Sequence, residues 1–502
     1  MNQKFEMTGN LSEYATMPLC ASTVTQEVTG DYTLPDYQPE VRRVLYVGAQ
    51  ILPPAKYISG TRVELNGGLD YTLVYVGMDG ELYSAPLSTE YSMALALEDV
   101  GTFDLGEGVE LLCDLDCDTV SARLTAPRRL SIKCRLRAKM AAYGKRHLEE
   151  EVSGLSDPLH LERLEREVIG LGVTSNLSDV IVAEETISLP NESVRVVSAD
   201  AVVLPSESRV EGGRITMGGR VEGRLLCAKE EANGVQYEAM PFQLPIEGAI
   251  EYEASDATGC QARVGGRISE LNVNATEEGI TVRANVVLDA QILWKEEIRY
   301  TEDLYSTDQM TKCGYAEHTV PVLRTCLMSN FSQSERLAVD TLNMPEGSVP
   351  VAVFGRAMAE ELNWENGKGV LSGRSHYTVI CRKEDDIFST ELLLPFRFAC
   401  DCPEMAEDFF CRISISSPTA KLDGDALMLD AELFLCATLL GHQDFCRVQS
   451  ADFGDGLPAK EDALIVCYPA PGDTSWTVAK KYAVSPEKVL GNPEIDRYVM
   501  IQ

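Results

Sequence analysis

The chain has 502 residues, of which 45% are hydrophobic and 24% charged, a composition that excludes a disordered or fibrous class. At roughly 100–200 residues per domain it holds about three or four domains. Asp and Glu number 78 against 44 Lys and Arg, a formal net charge of −34, and such a field excludes general nucleic-acid binding and opposes wholesale docking on anionic lipid.

No stretch approaches the roughly 18–20 apolar residues of a membrane span, so no integral span is expected. The opening MNQKFEMTGNLSEYATMPLC lacks a basic region followed by an apolar run, and a secretory signal is not expected. The fifteen cysteines then read as reduced thiols of a cytoplasmic protein.

Most of the chain reads as strands: short runs rich in Val, Ile, Leu and Tyr alternate with polar residues between Gly, Asn or Asp turns. A faint pattern recurs three times. Copy one comprises 44–50, 62–76 and 81–95; copy two 194–203, 214–228 and 235–250; copy three 351–358, 369–382 and 387–400. Gly67, Gly219 and Gly373 align, and Tyr75, Cys227 and Cys381 follow each by eight residues. A second strand-rich half follows each copy, at 120–140, 262–288 and 411–435. Period-two alternation predicts one buried and one wet face, as in an antiparallel sandwich.

Two helices are expected between the copies. Asp157-Pro158 caps LHLERLEREVIGLG, with Leu161, Leu164 and Val168 on one stripe, and this predicts a linker helix. A second helical patch, SERLAVDTLNM (334–344), precedes copy three. The stretch 452–462 reads as a linker. The tail 463–502 reads as a strand (464–468), two short helices and a last short strand, with Asp473 or Thr474 capping the first helix and Ser485 the second. The expected fold class is therefore mainly β: three antiparallel β-sandwich-like repeats followed by a small βααβ domain. The divisions are 1–146, a helical linker 147–188, 189–310, 311–450, a linker 451–462 and the tail 463–502.

The sequence holds little chemistry. Neither a Gly-x-Ser-x-Gly elbow nor a Walker-type loop occurs. Ser485-x-x-Lys488 is read as a helix cap beside a solvated lysine. The five histidines are dispersed, and Cys113-x3-Cys117 has no matching second pair, so no metal and no cofactor are expected. Cys400-Asp-Cys402 with Cys411 is a loose cluster read as buried thiols. No catalytic residue and no enzyme activity are expected.

The sharpest charge anomaly runs from Ser121 to Arg146, with nine Lys or Arg and no acid. It reads as exposed strand faces with snorkelling side chains. The functional alternative is a docking patch of Arg128, Arg129, Arg135 and Arg137 for an acidic partner or an anionic membrane.

Two resemblances add to this. In the tail, Tyr468, Pro471-Gly472-Asp473-Thr474, Trp476, Val478-Ala479, Tyr482, Val484-Ser485 and Asn492-Pro493 resemble a LysM domain, although the usual Pro-Gly-Gln turn before the last strand is missing. The segment LPDYQPEVRRVLYVGAQ (34–50) resembles the entry of a SPOCS domain. Three SPOCS-like copies followed by a LysM-like tail resemble the layout of SpoVID-like spore-coat morphogenetic proteins. The resemblance implies a non-enzymatic scaffold in endospore coat assembly, in the mother-cell cytoplasm at the forespore surface. The implied partner of the tail is a coat-basement protein of the SpoIVA type, and the chain itself is a further partner. The implied contact residues are Pro471, Gly472, Asp473, Thr474 and Ser475 in one loop, and Asn492, Pro493 and Glu494 in another. The alternative is a peptidoglycan or cortex glycan-binding protein acting through the same LysM-like loops.

Overall fold

The computed structural model describes residues 14–59, 61–97, 104–148, 150–174, 177–188, 194–231, 234–252, 259–276, 279–342, 344–458 and 464–501. The chain is mainly β, with several antiparallel sheets. The first unit holds β1 (Tyr14–Thr33), β2 (Val41–Ile51), β3 (Ala55–Ser59), β4 (Arg62–Gly77), β5 (Leu82–Ala96), β6 (Asp104–Ala126) and β7 (Arg129–His147). β2, β4 and β5 form a meander with β3 beside β4; β6 and β7 form a hairpin, and β1 pairs back onto β7.

The same wiring occurs twice more. After β8 (Glu151–Ser153), the second unit comprises β9 (Leu161–Val173), β10 (Leu177–Ser188), β11 (Val194–Glu211), β12 (Arg214–Glu231), β13 (Gly234–Glu251), β14 (Gln261–Thr276) and β15 (Gly279–Ser306). The third holds β16 (Gln309–Ala338), β17 (Val349–Glu365), β18 (Lys368–Lys383), β19 (Asp386–Cys400), β20 (Asp408–Asp423) and β21 (Ala426–Gly456). Meanders β11-β12-β13 and β17-β18-β19 face hairpins β14-β15 and β20-β21. The opening strand pairs with the last strand of the hairpin in every unit. Each meander packs its apolar face on its hairpin around a buried cluster. Alternation is visible directly: β19 buries Leu392, Leu394 and Phe396 and exposes the residues between.

The expected linker helix is a strand. Asp157 does cap, accepting from the Leu159 amide at 3.0 Å, but the turn it starts is a 3-10 turn that ends at His160. From Leu161 the chain is β9, paired with β15 from Ser306 to Leu293. β10 continues the same line, from Ala290 to Gly279 of β15. Together β9 and β10 are the second unit's counterpart of β1 and β16. Leu, Glu and Arg favour helix only by tenths of a kcal/mol per residue. A full ladder of strand pairing outweighs that, joined here by cross-strand ion pairs Arg166–Glu302 at 2.9 Å and Arg299–Glu167 at 2.7 Å. The patch 334–344 is likewise strand to Ala338, then a 3-10 turn over Val339–Leu342. The linker reading of 452–456 is also corrected: β21 runs to Gly456, and Asp452 pairs with Lys312 and with Ser153 of β8. Residues 459–463 lie outside the described residues.

The aligned glycines sit in the middle of the central meander strands. A Cβ on Gly373 would fall on the Met358 carbonyl and the Phe396 ring, and one on Gly219 on the Leu204 carbonyl. Opposite them the neighbouring strands bulge, between Ala359 and Glu361 and between Pro205 and Glu207. The residues eight further on, Tyr75, Cys227 and Cys381, are all buried.

The units close on one another, each touching both others. One apolar seam takes Leu45, Val74 and Val76 from the first unit, Val197 and Leu226 from the second, and Phe354 and Ile380 from the third. Tyr46 stacks on Phe354 with centroids 4.0 Å apart. A second seam gathers Leu112 and Tyr143, Leu171 and Leu293, and Phe410 and Leu440. A polar layer also joins the hairpins. Arg263 pairs with Asp114 and donates to Gln291 Oε1 at 3.1 Å, while Arg412 meets Asp289 at 3.4 Å. Burial would raise the Asp289 carboxyl, but Arg412, Arg267 and Arg263 outweigh it and hold the group below the usual carboxylate range. Burial, aided by Asp114, pushes Asp116 up to about 6.

Truncating the three-unit seam should loosen the whole assembly. Phe354→Ala is expected to lose about 3–5 kcal/mol in chemical denaturation, against less than about 0.5 kcal/mol for a surface control such as Glu361→Gln. Gly373→Val should lower the thermal midpoint more than Gly424→Val, because Gly424 has open space around a Cβ and only its positive φ opposes the change.

Candidate functional site

The tail builds a small module of its own. β22 (Ile465–Cys467) leads into a tight turn in which the Asp473 amide donates to the Ala470 carbonyl at 3.0 Å and the Asp473 carboxylate accepts the Ala470 amide at 2.7 Å. Gly472 takes a φ of +92° there, a conformation open to glycine without strain. Thr474 then caps α1 (Ser475–Tyr482): its hydroxyl accepts the Thr477 amide at 3.2 Å, and the Thr477 hydroxyl accepts the Thr474 amide at 2.8 Å. This reciprocal cap satisfies two amides that a helix start leaves without partners. α1 ends at Ala483, in the left-handed region.

The expected second helix is shorter than predicted. Pro486–Lys488 is a single 3-10 turn, and the Ser485 hydroxyl makes no cap bond. The chain then forms β23 (Val489–Leu490) and β24 (Val499–Ile501), giving a sheet ordered β22-β24-β23. Cys467, Val478, Ala479, Val484, Val489 and Val499 fill its core.

The loop residues named from the sequence are largely engaged with their own backbone. Pro471 and Gly472 are exposed, and Asp473, Thr474 and Ser475 are half-buried. Asn492 and Glu494 are exposed, but Pro493 is buried. Asn492 Oδ1 accepts the Glu494 amide at 3.0 Å, and the Asn492 amide donates to Asp496 at 2.6 Å. The side chains of Asp473, Thr474 and Asn492 therefore organise the loops.

The basic run is dispersed among acids. Arg128 donates to the carbonyls of Pro35 and Gln38, at 2.9 and 2.6 Å, and lies 3.6 Å from Glu40, so it pins the connection between β1 and β2. Arg129 is exposed at the β6–β7 turn. Arg135 lies 3.6 Å from Asp118, and Lys133 pairs with Glu27 at 2.6 Å. Arg137 is half-buried, 3.7 Å from the Met358 sulfur. Arg129, Lys133, Arg135, Arg137 and Lys139 share one face of β7, and acids from other strands lie among them, which the one-letter run conceals.

Among the thiols, Cys400, Cys402 and Cys411 share one apolar cluster. Cys113 is buried, and Cys117 lies 3.6 Å from Cys134. Among the described residues no three His, Cys, Asp or Glu side chains gather as metal ligands would, and no helix is long and apolar enough to cross a membrane.

The sequence did not show how the tail is held. The Trp476 indole donates to Asp303 at 2.8 Å, and the Lys480 ammonium lies 2.6 and 2.7 Å from its two oxygens. The Tyr315 hydroxyl donates to the same carboxylate at 2.8 Å. Beside this clamp the Tyr305 hydroxyl donates to the Val484 carbonyl at 2.6 Å, and its ring meets Trp476 edge to face at 4.9 Å. Burial would raise the Asp303 carboxyl, but the bonds from Lys480, Trp476 and Tyr315 prevail and hold it below the usual carboxylate range. Trp476 and Lys480, one turn apart on α1, are the half of this clamp visible in the tail. Asp303, Tyr305 and Tyr315 come from β15 and β16, more than 160 residues earlier.

The tail also differs in charge. Residues 463–502 hold four basic side chains (Lys480, Lys481, Lys488, Arg497) and four acidic ones (Asp473, Glu487, Glu494, Asp496), so the entire −34 belongs to the rest of the chain. No family model, curated protein or solved structure matches this chain.

Asp303→Ala should free the tail from the frame. We expect faster amide exchange over 475–482, with the frame's exchange unchanged. Because the folded Asp303 pKa is depressed, the clamp's stabilisation is complete above the ordinary carboxylate value and is lost as pH falls below about 4 through the folded pKa. Corrected for the intrinsic pH dependence of amide exchange, protection at 475–482 should fall over that acid window in the native chain and stay level in the Asp303→Ala variant.

Proposed function

We propose that this chain is a non-enzymatic scaffold of endospore coat assembly, with three SPOCS-like β units as the frame and a LysM-like tail that docks onto a coat-basement protein of the SpoIVA type. The observation that carries this reading is the tail itself: a capped, neutral module with its own core, clamped through Asp303 to a frame that bears all the net charge. The motif residues of the tail serve that module. Asp473 and Thr474 shape the first loop, and Trp476 joins the tail to the frame. The three units, locked along shared seams, supply a rigid base. The reading places the protein in the mother-cell cytoplasm at the forespore surface, as in SpoVID-like coat proteins, and allows self-association there.

A glycan-binding role is the second reading. It is favoured by the exposed pair Tyr468 and Tyr498, whose rings lie 6.5 Å apart and offer flat apolar faces of the kind sugar rings stack on.

Co-purification separates the two. The full chain should retain a purified SpoIVA-type protein, and a chain ending at Leu457 should retain at least tenfold less. Equal retention by both removes the docking role. Sedimentation of the full chain with purified peptidoglycan, combined with no retention of the basement protein, selects the glycan reading instead.

A further inference from the structure

Two thiols meet across the β6–β7 hairpin of the first unit. Cys117 pairs with Leu136 and Val120 with Cys134, and the register slips between Cys117 and Thr119, so Asp118 is the extra residue of a bulge. Leu136 and Cys134 belong to the core of the unit, and Cys117 packs against the same core. Cys117 therefore stands diagonally from Cys134 on the inner face. The two sulfurs are 3.6 Å apart, in van der Waals contact.

The surroundings favour reaction at this pair. Cys134 is fully buried. Bonds from Cys117 and the Tyr71 hydroxyl, helped by the charge of Arg356, nevertheless hold its thiol below the ordinary value. The bond to Cys134, with burial, raises Cys117. The pair thus shares one proton, and a thiolate is present between the two sulfurs. Arg356 comes from β17 of the third unit and favours a thiolate at either sulfur. Cys117 is half-buried, and Thr119, two residues on, is exposed. A small oxidant therefore meets Cys117 before Cys134.

Other thiols of the frame differ. Burial pushes Cys113 and Cys400 up to about 11 and Cys381 up to about 12. Cys402 donates to the Glu404 carbonyl at 3.0 Å, and Cys313 to the Leu304 carbonyl at 3.4 Å. A thiol kept protonated by burial, or donating to an oxygen, reacts slowly, because the thiolate is the nucleophile.

We propose that Cys117 and Cys134 are a peroxide-sensitive pair that closes into a disulfide and staples β6 to β7 at the bulge. The Cys117 sulfur, its proton passed to Cys134, attacks one oxygen of hydrogen peroxide. The O–O bond breaks, a sulfenic acid forms on Cys117, and the departing hydroxide becomes water with the proton that the pair had given to solvent. The Cys134 sulfur then attacks the sulfenic sulfur. The S–S bond forms, the S–O bond breaks, and the hydroxyl leaves as a second water with the Cys134 proton. Two thiols are oxidised to one disulfide, and one peroxide is reduced to two waters. A small thiol reopens the pair by exchange. Both cysteines lie in the frame, so this chemistry is independent of what the tail docks onto.

The test takes the full chain, reduced and freed of reductant, with hydrogen peroxide as the probe. Samples are quenched in acid, alkylated and read by peptide mass mapping. The expected product is a peptide cross-linked between Cys117 and Cys134, two hydrogens lighter than its reduced parts. It should form several-fold faster than oxidation of the exposed Cys446 and vanish on addition of dithiothreitol. In Cys134→Ser a sulfenic acid should persist on Cys117 and be trapped by dimedone, because the resolving sulfur is gone. In Cys117→Ser dimedone should leave Cys134 unlabelled. The thermal midpoint reports whether each variant is folded, and mapping of the native chain decides the matter without them. Free Cys117 and Cys134 after Cys446 has been oxidised overturn the proposal, as does a disulfide joining either of them to another cysteine. A dimedone adduct on Cys134 in a folded Cys117→Ser variant overturns the order of attack.

Discussion

The structure depends on the closure of three β units along shared apolar seams against a large net negative charge. Each unit leaves Leu, Val and aromatic side chains at the ends of its sheets, and only the other two units cover them. Burial of such side chains contributes about 1.5–3 kcal/mol each, enough to hold together surfaces whose charges repel. The polar layer between the hairpins acts differently. Arg263 with Asp114 and Arg412 with Asp289 add little net stability as pairs, but loss of one partner would leave a buried charge uncompensated, at about 3–5 kcal/mol. The seams thus drive closure and the buried pairs penalise any other arrangement of the same units.

That closure makes a platform for the tail. The junction of β15 and β16 turns between the second and third units, and Asp303, Tyr305 and Tyr315 project from it. A module of about forty residues has little core of its own, and the frame supplies the rest through one carboxylate and one tyrosine ring. The orientation that results leaves the outer sheet face of the tail uncovered while α1 is turned onto the frame. The frame therefore carries the net charge, and the tail a small exposed apolar surface.

Strand content was legible because period-two alternation is strong and repeated. β2, β4 and β5, like β11–β13 and β17–β19, fall on the segments expected of them. The capping of α1 by Thr474 was equally legible, since it is a contact between near neighbours. What stayed hidden shares one physical cause. Leu161–Val173 has helix-forming residues and a cap at Asp157, yet its partner in β15 lies more than a hundred residues on and overrides local preference. The partners of the basic side chains on β7 were out of reach for the same reason, since Glu27 and Asp118 stand on neighbouring strands. The bonds that occupy Asp473 and Asn492 depend on a folded turn, which residue order alone does not show.

By itself the sequence determined the β character, the strand segments of the meanders and the neutrality of the tail, all of which follow from residue order and composition. Tertiary structure alone decided that the presumed helix is the opening strand of the second unit, that three units share seams, that Asp303 anchors Trp476 and Lys480, and that the outer sheet face of the tail is left open. Each of these joins residues distant along the chain, and local propensity, worth tenths of a kcal/mol per residue, carries no information about which distant surface a side chain will meet.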